Sequence, residues 1–198
     1  MKPFKRRRRG GLCATFEPGE AQVIASLTSQ VVELLRDRNG ELASDPDPLA
    51  GELGLSGGPS LPPEDPVLQR LLPDAYRDDS DESAEFRRFT ERSLTSSKVA
   101  NAEAVLASLR EAGLDETVIS EDDAEDLEPL EVELDAEAVQ AWLRTLTDVR
   151  LSLAVRLGID ADEDAMLLHQ SEDEAIIAMT ELYDWLGYVQ ETLVTALD

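Results

Sequence analysis

Between Asp135 and Ile159 the chain reads DAEAVQAWLRTLTDVRLSLAVRLGI, and Val139, Trp142, Leu143, Leu146, Val149, Leu153 and Leu157 recur at three- and four-residue steps. That spacing gathers them on one stripe of a single helix. The opposite face carries Glu137, Gln140, Arg144, Asp148 and Arg156. Asp135 is placed to cap the start, Glu137 suits the positive end of the helix dipole, and Gly158 can take the left-handed conformation that closes the last turn. A core helix of this kind has to be covered by the rest of the chain.

Three further helical patterns supply the cover. Pro18 suits a first helical turn, and Glu20 to Arg36 places Val23, Ile24, Leu27, Val31, Leu34 and Leu35 inward, with an end near Asn39-Gly40. A long helix is expected from Ser83 to about Ala112, with Phe86, Phe89, Leu94, Ala102, Val105, Leu106 and Leu109 inward and Gly113 as its stop. The last runs from Glu172 to Leu197 on a stripe of Ile176, Met179, Leu182, Tyr183, Leu186, Val189, Leu193 and Leu197. Asp65 to Leu72 reads as a short helix begun by Asp-Pro and stopped before Pro73, and a turn is expected at Ala165 to Leu168. Two stretches alternate instead: Leu12, Ala14 and Phe16, and far downstream Leu130, Val132 and Leu134. They are expected to pair antiparallel and to lay their apolar faces on the helices. The fold class is therefore mainly α, a helical bundle of about four main helices with a small two-stranded antiparallel β element.

Charge divides the 198 residues unevenly. Residues 1–10 hold Lys2, Lys5, Arg6, Arg7, Arg8 and Arg9, six of the eighteen basic residues and no acid, leaving twelve against 43 acids afterwards. Mutual repulsion in Arg6 to Arg9 predicts a basic flexible arm over 1–10. Residues 11–198 read as a single helical domain, interrupted by an irregular Pro-, Gly- and Ser-rich insertion at 40–64 and an acidic loop at 116–128. The anionic body repels nucleic acid and anionic membranes, so DNA contact would fall to the arm. No run of eighteen apolar residues occurs, and the stretch after the basic arm is too short and too soon interrupted for a signal peptide, so a cytoplasmic location is expected.

Little chemistry rises above this background. His169 is the only histidine and Cys13 the only cysteine, which supplies neither a catalytic triad nor a structural zinc site, and no metal or cofactor is expected. The acidic runs lack the glycine of a calcium loop, and the glycines at 51, 54, 57 and 58 lack the Lys-Ser/Thr ending of a phosphate loop. Lys2, Lys5 and Arg6 to Arg9 suit phosphates and carboxylates alike, or serve as a solubilising tail. Cys13, four residues after Arg9, is a candidate redox thiol that the strand alternation turns away from the Leu12/Phe16 face; its other reading is a small strand residue. Tyr76, Trp185 and Tyr188 are candidate interface aromatics, or core-edge packing.

The order of several short motifs carries a resemblance. Leu71-Leu72-Pro73-Asp74-Ala75-Tyr76, Glu85-Phe86-Arg87-Arg88, Lys98 with Asn101-Ala102, Trp142-Leu143-Arg144 with Asp148 and Arg150-Leu151, and Tyr183-Asp184-Trp185-Leu186-Gly187 with Gln190-Glu191 are similar to the actinobacterial AosR regulator family, long catalogued as a domain of unknown function. The resemblance covers most of Phe16 to Leu197 outside the insertion. It implies a non-enzymatic protein of oxidative-stress transcription acting with a stress sigma factor or RNA polymerase, encoded near the Clp adaptor ClpS; the alternative is an adaptor of the Clp proteolysis system. It also implies thiol switching by a pair of N-terminal cysteines. This chain has Cys13 alone, so it either senses through an intermolecular or mixed disulfide or is not a redox sensor.

Overall fold

The computed structural model describes residues 1–8, 10–43, 61–76, 78–115 and 128–198. Among them are four long helices, α1 (Pro18–Ala43), α3 (Ser80–Glu111), α4 (Ala136–Leu157) and α6 (Glu174–Thr195), and two short ones, α2 (Pro66–Leu71) and α5 (Asp162–Leu168). Three strands, β1 (Lys2–Arg6), β2 (Leu12–Phe16) and β3 (Leu130–Leu134), form one antiparallel sheet in that order. Residues 44–60 of the insertion expected at 40–64, residues 116–127 of the acidic loop expected at 116–128, and Arg9 lie outside the described residues.

Helix α4 is the hub, packing against α1, α2, α3, α6 and β3. Its ends are closed as its sequence dictates. The Asp135 carboxylate accepts from the backbone N–H groups of Glu137 and Ala138 at 3.0 and 2.8 Å, and Gly158 takes φ 70°. Trp142 is fully buried, and its indole N–H, which would be costly to leave unpaired, donates to Ser108 Oγ at 2.9 Å. Phe16 stacks on Trp142 at 5.8 Å, and Phe4 meets both rings edge-on.

Strands β2 and β3 pair as their alternation predicts, Leu12 opposite Leu134, Ala14 opposite Val132 and Phe16 opposite Leu130, all six buried. The flexible arm and the two-stranded element need correction. Lys2–Arg6 is a third strand, pairing with β2 through Lys2 to Thr15, Lys5 to Cys13 and Arg6 to Leu12 with an irregularity between Lys2 and Lys5. Phe4, 5 % exposed, enters the core, while Arg6 and Arg7, two of the cations expected to repel one another, reach separate partners. The connecting turn needs Gly10 and Gly11, both at positive φ; a Cβ on Gly11 would lie 2.5 Å from the Leu134 carbonyl oxygen.

Helix α3 departs from its expected stripe. Phe86, Phe89 and Leu94 are 47, 76 and 43 % exposed, whereas Ser83, Arg87, Glu91 and Thr95 face inward at four-residue steps. A polar stripe can be buried because its charges are neutralised locally. Arg87 donates to Glu91 and, at 2.6 Å, to Asp74, and Arg38 from α1 donates to Glu91 at 2.8 Å. Burial alone would lower the Arg87 pKa, but the two carboxylates outweigh it and raise the value.

Candidate functional site

Two regions bring functional residues together. The first lies between α3, α4 and α6, where Lys98, Asn101, Leu143, Arg144, Asp148 and Gln190 line a cavity of about 580 Å³. All six belong to the motifs quoted above for the resemblance. Asp148 is buried, against the expectation that it lies on the outer face of α4, because Lys98 reaches across from α3 and donates to it at 2.6 Å. Burial raises the Asp148 pKa, and Lys98 opposes that rise without cancelling it.

The polar groups behind this cavity are largely committed to one another. Gln190 donates to Thr147 Oγ1 at 2.7 Å and accepts from Arg150 at 2.9 Å. Arg150 lies 5.0 Å over the Tyr183 ring. Gly187 leaves room for it, since a Cβ there would sit 3.3 Å from the guanidinium. Arg144 is exposed at the rim. The arrangement fixes the register of three helices; its charged floor is a satisfied pair.

The second region is the basic hairpin. The Arg6 guanidinium donates to the backbone carbonyls of Ala196, at 3.0 Å, and Leu197, tying β1 to the end of α6. Arg7 pairs with Glu133. Lys2, Lys5 and Arg8 are exposed. Beside them lies a mainly apolar cleft of about 380 Å³ walled by Leu12, Val139 and Leu197, with Arg6 and Arg7 at its edge. The sequence located these cations but not their surroundings. Phe4, flanked by a proline and charges, was the one residue that signalled a strand.

The remaining candidates are dispersed. Cys13 is buried at 5 % exposure, which corrects the reading of an outward thiol. Its ladder neighbours Lys5 and Glu133 share its face of the sheet, and Arg7 closes onto Glu133 beside it. Tyr76 meets Phe86 edge-on at 6.1 Å, and its backbone N–H and carbonyl are both bonded to the Ser83 hydroxyl. Trp185 is half-buried against the core and Tyr188 is 47 % exposed, both on α6. Among the described residues no ring contact joins Tyr76 to either. His169 bridges α5 to α6 through Asp184 at 3.0 Å. The described residues bring together no three His, Cys, Asp or Glu side chains in a metal-holding group, and none of their helices is long and apolar enough to cross a membrane.

Comparison with known proteins gives this geometry its setting. The model of the domain of unknown function DUF2017 matches residues 1–197. The oxidative stress regulator AosR of Mycobacterium tuberculosis (strain H37Rv) is 32% identical over 192 residues, covering 93% of this chain and 81% of that protein. AosR of Mycobacterium bovis is 32% identical over the same length, and the AosR-named protein of Mycobacterium leprae is 30% identical over 195 residues, or 91% of this chain and 79% of its own. No solved structure matches the chain significantly.

Proposed function

We infer the function of this chain from the family to which it belongs, the DUF2017 family that includes the mycobacterial oxidative stress regulators AosR, and propose that it is itself a regulator of the oxidative-stress response. It acts without catalysis, by docking on a cytoplasmic transcription protein, a stress sigma factor or RNA polymerase. The observation that carries this reading is similarity over more than nine-tenths of the chain to proteins named for that role.

The charge distribution supports a protein partner over direct DNA recognition. An anionic body repels phosphate, and the cations of residues 1–10 sit on a folded hairpin beside apolar surface instead of on a free arm that could follow a groove. Two of the motif carboxylates, Asp148 and Asp74, are each held by a cation, which supports a non-catalytic role.

The test is affinity purification of the full-length protein from cells with and without peroxide, followed by mass spectrometry. Sigma factor or polymerase subunits should co-purify. Clp components in their place, or no transcription protein in either condition, would overturn the reading.

A further inference from the structure

We propose that the cleft between the basic hairpin and the end of α6 is the docking site for an acidic protein segment carrying an aliphatic anchor. This inference rests on the reading of the chain as a partner-docking regulator and adds where the partner sits and what chemistry it presents.

Three observations converge on that occupant. The cleft is mainly apolar, lined by Leu12, Val139 and Leu197, so it rewards an aliphatic side chain. Its lining sets Arg6 and Arg7 against the single carboxylate of Asp135, and Lys2, Lys5 and Arg8 add exposed positive charge on the hairpin. Among the described hairpin residues only Arg7 has a carboxylate partner; Arg6 is held by neutral carbonyls, and Lys2, Lys5 and Arg8 extend into solvent. Arg6 can therefore donate a charge-assisted bond to a partner carboxylate from its remaining N–H groups while it stays where the carbonyls have placed it. Finally, residues 1–10 hold six of the chain's eighteen basic residues and no acid, against twelve basic and 43 acidic residues in the remainder, so an acidic partner is steered toward the hairpin.

Duplex DNA fits less well. The exposed carboxylate of Asp135 lines the same cleft and Glu133 stands beside it on Arg7, so a continuous phosphate backbone laid across the hairpin would meet both. An isolated segment with an apolar anchor can enter between them.

The experiment uses the full-length chain and three probes: a short fluorescein-labelled peptide of glutamate and leucine, the same peptide with serine for leucine, and a labelled DNA duplex. In about 150 mM salt the leucine peptide should bind at least about tenfold tighter than either other probe. Ala136→Glu places a carboxylate in the cleft at the first turn of α4, where an acid favours the helix, so the protein stays folded by circular dichroism while leucine-peptide affinity falls by about tenfold or more. Equal affinity for the serine peptide, tighter binding of DNA, or no loss in Ala136→Glu would overturn the proposal. If the wild-type protein captures transcription proteins and Ala136→Glu captures them equally, the cleft is wrong and the regulator reading stands; if neither captures any, that reading falls first.

Discussion

Arg6 and Leu197 stand 191 positions apart in sequence and are joined by a hydrogen bond from the arginine side chain to the leucine carbonyl. With the second bond to Ala196, this contact holds the N-terminal strand against the end of the last helix. Both groups are exposed, so the clasp adds little to global stability. Arg6→Ala should cost about 1 kcal/mol in chemical unfolding. It should also speed amide exchange in β1 and labelling of Cys13 by a thiol reagent, while β3 exchanges as before.

Gly11 is constrained from two sides, by its φ of 77° and by the Leu134 carbonyl where a Cβ would lie. Gly11→Ala should destabilise the protein by about 2 kcal/mol, as expected of an alanine forced into a strained backbone region. Gly10→Ala has open space at its Cβ and should cost less; thermal melts of the two variants make the comparison.

Glu91 is 2 % exposed and accepts from Arg87 and Arg38 together. Glu91→Gln removes the charge that the buried Arg87 shares with Arg38 and leaves Asp74 as the remaining carboxylate on Arg87, and should cost about 3 kcal/mol in denaturant unfolding. Replacing Arg87 and Glu91 together by Met and Leu should recover much of that loss.

Asp148 gives a pH signature. Its folded pKa is raised, mainly by burial, so the folded protein binds this proton more tightly than the unfolded chain does. Its contribution to stability is full below the unfolded carboxylate value of about 3.9 and is lost as pH rises through the folded value. Asn at this position imitates the protonated acid at every pH. Measured by urea unfolding, Asp148→Asn should therefore be nearly neutral near pH 3 and gain on wild type toward neutrality; a variant that loses ground to wild type as pH rises would contradict the assignment.

Much of the fold was legible because apolar spacing determines which helix faces are buried. The stripe of α4, its Asp135 cap and Gly158 stop, and the alternation of Leu12–Phe16 with Leu130–Leu134 were all readable one residue at a time. In the first half of α3 apolar spacing points Phe86, Phe89 and Leu94 inward, whereas Arg87 and Glu91 take those positions once Asp74 and Arg38 arrive from elsewhere in the chain. Repulsion among Arg6 to Arg9 predicts a free arm, whereas Phe4 seats Lys2–Arg6 as a strand through aromatic partners that lie twelve and 138 positions away. Long-range pairing of polar groups leaves no period in the sequence. The cavity residues were visible only as motifs, Lys98 with Asn101 and Asp148 with Arg150, and their convergence required the packing of α3, α4 and α6.

The most direct test of partner docking through the folded hairpin is a titration of labelled full-length protein with purified actinobacterial RNA polymerase core and stress sigma factors. It compares wild type with the triple variant Lys5→Glu, Arg7→Glu and Arg8→Glu, after circular dichroism has shown the helices intact. The account predicts saturable binding to one of these proteins with a Kd of about 1 μM or tighter, weakened by at least about tenfold in the variant. Absence of binding to any of them, or binding untouched by the charge reversal, would contradict it.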